Sequence, residues 1–461
     1  MLEVEADRLL VATGQCLTIH DLVPSGRDDD GRRGAADVHT VPIPIVRTPR
    51  NAIPRTAREG WSRFAPNDGR PSPLDDMTGL VALGRDQYVI STVGGRLQRI
   101  GLQRGQYRGR TTWQAVSKAL YQHPRNIPIE SLCVSRGGDD SKPISQFLTA
   151  SHSGLVSLYN AAAPWSAPST FELGTRPWSS LLQLEGSRPF VAVGTSGLEP
   201  LKIYSLGEGG VFATPGKIAP TVEPMNTLVG AEKKSAVYDI KAPGPNMATP
   251  FSGNPTSILL SAWFDGKARV HDLRMSGTSS LTSGLDSGHA MYNRPVLEAH
   301  DPWIQSSLYS CAWTGAGNIA AGSSRHGMVS FYDTRMMLNA GQLGTNLNAN
   351  KRAGDQSGYS IYTPGQPESP VYDLAGEGGR VWGVTHRRVF VAAFDVQGDR
   401  PGSAESRGWD VVRPNCQVNA AVSRVDRRTG KRGGVDEIKD YAVGYALGDP
   451  QLKVFESLRG Y

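Results

Sequence analysis

The apolar residues of this chain fall in short runs of four to seven, many alternating with polar positions, and the gaps between runs hold Gly, Asp, Asn or Ser. A period of two predicts strands with one face turned to a core, and turn formers between the runs predict hairpins. Helical periodicity is confined to one place, where Thr112 followed by Trp113, Val116 and Leu120 predicts an amphipathic turn or two. Several strand pairs share a layout. An apolar run ends in small residues, a polar or Gly turn follows, and an alternating run closes on an aromatic or His plus a polar residue.

The closing runs are LTIHD at Asp21, LQRIG at Gly101, VSLYN at Asn160, LKIYS at Ser205, ARVHD at Asp272, VSFYD at Asp333, VFVAAFD at Asp395 and LKVFE at Glu456. From Gly101 on they recur every 45–67 residues, the spacing of an array of supersecondary units. About thirty strands cannot form one flat sheet, because sheets twist and rarely exceed about ten strands. Radial repetition leaves only short edges. The expected fold is therefore an all-β propeller of four-stranded antiparallel blades, seven in number with eight as the alternative. A single domain over 1–461 is expected, its ring closed by N- and C-terminal strands sharing one blade. Between the blades, 24–76, 275–296, 337–370 and 396–435 are polar, Gly- and Pro-rich stretches longer than the about 12–15 residues of ordinary connections, and their composition predicts flexible loop insertions.

Composition narrows the classes. The 461 residues include 53 Gly and 31 Pro, which excludes a coiled coil, while 39% apolar content and nine Trp supply a core. The longest apolar runs, such as VFVAAF at 389–394, fall far short of the about 20 residues of a membrane-crossing helix. The start, MLEVEADRLL, is acidic and predicts no signal peptide. Cys16, Cys133, Cys311 and Cys416 are far apart and form no CxxC, which predicts an intracellular protein of the cytoplasm or nucleus. The net charge of +6 is mild over this length. Its densest stretches, 47–70 and Arg424–Arg432, sit among Gly, Pro and Asp; solvated loops are favoured over nucleic-acid contact there.

No motif nominates catalysis. GAGNIA at 315–320 has a dinucleotide-type spacing, but the residues after it alternate as strands, where a helix N-terminus would be needed to face a pyrophosphate. FDGKAR at 264–269 lacks the first Gly of a P-loop, and neither HExxH nor GxSxG occurs. His152 and His326 precede Gly-containing turns, and Asp28–Asp30 lie in an Arg/Gly stretch. The expectation is a non-enzyme without metal or cofactor.

Residues 297–336, LEAHDPWIQSSLYSCAWTGAGNIAAGSSRHGMVSFYDTRM, resemble a WD repeat: a His before the first strand, Ala-Trp ending the second, a small-residue strand, then an aromatic-Asp close. Residues 259–274 look like the second half of another. The resemblance implies a polar network inside each blade, with His300 at the His place, Asp265 at the turn Asp, and Asp272 and Asp333 at the closes, where His271 or Tyr332 replaces the family's Trp. The closes VHDLR and FYDTR resemble the box by which WD-repeat receptors dock on a cullin-ligase adaptor, which places Arg274 and Arg335 at the contact; a local ion pair with the preceding Asp is the competing reading. Degenerate blades with long inserts, and PVYDLAGEGGRVWGVTHRRVFVAAFD at 370–395, are similar to F-box/WD-repeat substrate receptors of cullin-RING ubiquitin ligases, although no F-box is visible in this chain. Trp178 and Trp303, in RPW and DPW, precede inner strands on one rim and are expected to anchor a protein partner or to pack between blades. The implied function is a non-catalytic interaction propeller recognising substrate for such a ligase; the alternative is a WD-repeat scaffold of an RNA- or chromatin-associated complex.

Overall fold

In a computed structural model the described residues cover most of 76–207, 234–274, 295–335 and 358–393, with short gaps, together with strands within 2–21 and at 38–42, 226–228, 417–422 and 436–447. The chain is all-β and of propeller type. Among the described residues seven antiparallel sheets follow one another along the chain. It divides into two compact units, the first holding 1–196 and 201–227 and the second 197–200 and 228–461.

In the first unit, successive strands Leu2–Glu5, Arg8–Thr13, Cys16–Asp21 and Val38–Pro42 make the first sheet. The second contains Met77–Gly84, Gln87–Thr92, Arg96–Tyr107 and Arg110–Gln122. The third contains Ile129–Val134, Gln146–Ser151, Leu155–Asn160 and Ser169–Glu172. The fourth is built on Ser179–Gln183, Phe190–Gly194 and Leu201–Ser205. In the second unit the fifth sheet runs Ser235–Lys241, Ile258–Trp263, Lys267–Asp272, Leu297–His300. The sixth runs Leu308–Thr314, Asn318–Ser323, Met328–Asp333, Gly358–Tyr362 and takes Val443–Leu447 on its outer edge. The seventh runs Val371–Glu377, Arg380–Thr385, Val389–Ala393, Gln417–Val422 and Asp436–Tyr441.

Within each unit, neighbouring sheets pack face to face, and each gap between them has its own apolar cluster. Leu10, Ile19 and Ile90 join the first two sheets, Val89 and Phe147 the second and third, and Leu158, Phe171 and Val191 the third and fourth. Trp313 and Val270 join the fifth and sixth, and Phe331, Val371 and Phe390 the sixth and seventh. A strand packed on both faces has no polar side, so Ile258–Trp263 and Asn318–Ser323 are buried at every position. Their small residues have a steric cause. A Cβ on Gly322 would stand 2.7 Å from Val371 Cγ1 of the next sheet. Gly322→Val is therefore expected to destabilise the protein by about 1–3 kcal/mol through overpacking, read as a lowered denaturant midpoint. The turn after the second strand needs Gly for a second reason: Gly154 and Gly266 have φ of +92° and +78°, and a Cβ there would also meet Thr175 O and Ser306 O.

Several expectations need correction. Val38–Pro42 and Gly358–Tyr362 are strands inside stretches read as loop (24–76 and 337–370). Outer strands have less apolar face to bury, so their sequences look like connections. The expected helical turn at Trp113–Leu120 is part of the strand Arg110–Gln122, held through its length by Arg96–Tyr107. Tertiary pairing overrides a weak periodicity there; Ala115 is buried while Val116 is half exposed. The first sheet is formed by strands within residues 2–42. The run ending at Glu456 lies outside the described residues.

Candidate protein-interaction rim

The first strands of successive sheets lie against one another within each unit. Five of them carry a β-bulge at the same place, near their start: the extra residue is Thr78, Glu130, Tyr238, Tyr309 or Tyr372. A bulge turns its extra side chain out of the ladder. The turn that follows the second strand is tied beside it. The Phe264 N–H donates to Ala236 O at 2.9 Å, Ser324 to Ser307 O at 2.8 Å, His152 to Pro128 O at 2.8 Å, and His386 to Ser369 Oγ at 2.8 Å. Each bulge residue thus shares the rim with a turn residue of its own sheet.

In the second unit this rim is aromatic. Tyr238 meets Tyr309 edge-to-face with ring centroids 5.1 Å apart and Phe264 at 6.3 Å. Phe264 is 55% exposed and Tyr372 48%. Below the bulges, Asp239 and Asp373 converge on Lys241, whose Nζ is 3.4 Å from Asp373 Oδ1 and 3.6 Å from Asp239 Oδ1. The Asp239 carboxylate also accepts the Cys311 N–H at 2.9 Å, linking the fifth sheet to the sixth. Burial pushes the Asp239 carboxyl up despite Lys241 beside it. For Lys241 burial works against the charge, but the two carboxylates outweigh it and hold the ammonium above its ordinary value. Burial, then Asp239, push the Cys311 thiol up.

In the first unit the rim is polar. Glu130 Oε1 accepts from His152 Nδ1 at 2.5 Å and from Arg176 Nη2 at 3.0 Å. The Arg176 guanidinium lies 3.8 Å over the Trp178 ring, and Trp178 Nε1 donates to Ser196 Oγ at 2.6 Å. Trp178 is half-buried under this stack. Trp303 lies outside the described residues.

The other expected residues are dispersed. Arg274 clamps Asp272, with Nε 2.9 Å from Oδ1 and Nη2 2.7 Å from Oδ2, and Arg335 clamps Asp333 with Nη2 2.9 Å from Oδ2. Burial opposes the charge on Asp272, but the Arg274 donors hold its carboxyl below the usual range. Both arginines keep an exposed edge, with 39% and 45% of the side chain accessible. Asp265 is held by Arg269, Nη2 to Oδ2 2.6 Å, and His300 lies opposite Lys267 at the end of its strand. Arg269, 1% exposed, also donates Nε to Glu298 Oε2 at 2.8 Å and lies 4.3 Å over the Trp263 ring. Beside it His271 is buried and stays neutral, its pKa lowered to about 3 by burial and by Arg269. Just after the fifth sheet's last strand, the buried Asp301 accepts from Ser360 Oγ of the sixth sheet at 2.6 Å, and Ser360 bonds Ser330 at 2.6 Å. Ser360 stands on a strand that reads as loop, so this network was not legible.

The bulge tyrosines did leave a signal: Val-Tyr-Asp stands at 237–239 and again at 371–373, with Leu-Tyr-Ser at 308–310. Among the described residues no three His, Cys, Asp or Glu side chains are grouped to hold a metal ion, and no helix is long and apolar enough to cross a membrane. The chain matches no protein-family model and no curated protein.

Proposed function

We propose that this chain is a non-catalytic protein-interaction propeller, and that it recognises substrate proteins for a cullin-RING ubiquitin ligase. The observation that carries the interaction reading is the aromatic rim of the second unit. Large apolar rings with a polar edge, held rigid on packed strands, give contact area at low entropic cost. Central aromatic anchors of this kind contribute about 2 kcal/mol or more each in protein interfaces. The ligase reading rests on the resemblance to WD-repeat receptors and on the repeated Asp-x-Arg close. Its arginines are pre-oriented by their own Asp yet keep an open edge for adaptor carboxylates.

Affinity purification of the tagged protein from its own cells, with mass spectrometry of what is retained, separates the two parts. Changing Phe264 and Tyr372 to Ala is expected to lose substrate proteins by about tenfold or more and to spare the adaptor. Changing Arg274 and Arg335 to Ala is expected to lose adaptor and cullin and to spare the substrates. Retention of RNA or chromatin components with no cullin overturns the ligase reading in favour of a scaffold. Partners insensitive to Phe264 and Tyr372 overturn the rim.

A further inference from the structure

A cleft of about 970 Å³ opens in the first unit at the opposite end of the strands from the bulges, among the second, third and fourth sheets. Among the described residues its lining carries one charged side chain, Arg99. Arg99 is half-buried, and its Nε donates to Gln87 Oε1 at 3.1 Å. Gln87 lies over Gly101 of the facing strand, where a Cβ would approach its amide nitrogen to 3.1 Å. The bare glycine thus leaves Gln87 room to brace Arg99. Among the described residues no carboxylate pairs with this guanidinium, so its terminal nitrogens remain donors. Asn160, also on the wall, accepts the Ala162 and Ala163 N–H groups on its side-chain carbonyl oxygen at 2.9 and 3.3 Å. Its amide nitrogen is left as a further donor. Leu83, Ile144 and Leu184 add an apolar wall.

A cation and amide donors without a counter-carboxylate, beside an apolar wall in a concave site, suit a ligand that is anionic at one end and apolar at the other. We infer that the cleft binds an amphiphilic anion, its carboxylate or phosphate head on Arg99 and Asn160 and its apolar body along Leu83, Ile144 and Leu184. This is a small-molecule site within the first unit and independent of the ligase reading.

Calorimetric titration of the full chain with octanoate, octyl phosphate and octylammonium tests the charge, and acetate and inorganic phosphate test the apolar body. One or both octyl anions are expected to bind, the better of the two naming the head group, while octylammonium, acetate and phosphate do not at the same concentration. Arg99→Gln is expected to weaken the octyl anion by about tenfold or more and Arg99→Lys by less, because lysine keeps the charge without the fork. Equal binding of octylammonium overturns the inference. So does Arg99→Gln within about twofold of the parent, or no binding of either octyl anion up to about 10 mM. If Arg99→Gln fails to fold, the comparison of octyl anions with octylammonium on the unmodified protein decides alone.

Discussion

Arg269→Met is expected to cost this protein about 3–5 kcal/mol, the range for removing one partner of a buried ion pair. Arg269 is 1% exposed and is the shared partner of Asp265 and Glu298. Methionine replaces much of its volume, so the loss is electrostatic rather than a cavity. Glu298 keeps Lys267 as a partner, whereas Asp265 loses both of its bonds from the guanidinium. Arg269→Lys should fall between, because one ammonium cannot reach both carboxylates with a planar fork. Adding Asp265→Asn and Glu298→Gln to Arg269→Met should recover part of the loss by removing the unpaired charges. Urea unfolding followed by tryptophan fluorescence reads all of these. An Arg269→Met midpoint within about 1 kcal/mol of the parent would show that the pair contributes no more than a surface bridge.

The second large effect concerns Lys241→Met. Asp239 and Asp373 would then face each other without their shared cation. The expected loss at pH 7 is about 2–3 kcal/mol, below the fully buried range because Lys241 is 36% exposed. The loss should shrink as pH falls. Burial already pushes the Asp239 carboxyl up. A carboxyl whose folded pKa lies above its unfolded one binds its proton more tightly in the folded state, so acid favours folding through that group. His271 acts in the other direction in both proteins. Its folded pKa of about 3 lies below its unfolded value, so the stability it contributes is complete above about pH 6.5 and declines as pH falls towards 3. The decisive quantity is therefore the gap between parent and variant, measured at pH 7 and pH 5. A gap that stays constant, or widens in acid, would mean the two carboxylates do not depend on Lys241 for charge balance.

The repeating architecture was legible because it is written in short-range pattern. Alternation marked strands, turn formers marked hairpins, and closes such as ARVHD and VSFYD marked the unit length. These signals are local, and each hairpin forms over a few residues. The small residues ending ILLSAW and NIAAGS could also be read, since a strand packed on both faces has no other composition available. The outer strands were less visible. GYSIY has little apolar face to declare itself, and it is a strand because a partner presents unpaired N–H and C=O groups to it.

The site residues divide along the same line. Asp-x-Arg at 272–274 and 333–335 is a contact within three residues, and the local ion pair read from it is in place. His300 and Asp265 were matched by a place in a repeat, which says nothing of what a side chain reaches. Arg269 captured Asp265 because Arg269 and Glu298 pair across neighbouring strands, on one face with the turn Asp. The aromatic rim and the Lys241 cluster depend on bulges, each an offset of one residue between two strands, and on residues 72 and 132 positions apart meeting across sheets. Sequence alone determined that this chain is a succession of antiparallel hairpin units with tightly packed middle strands, because pattern and turn chemistry act over neighbours. Which polar groups meet, and which aromatic rings face outward, was decided only by the tertiary packing, because strand register and sheet-to-sheet contact choose among side chains that look equivalent along the chain.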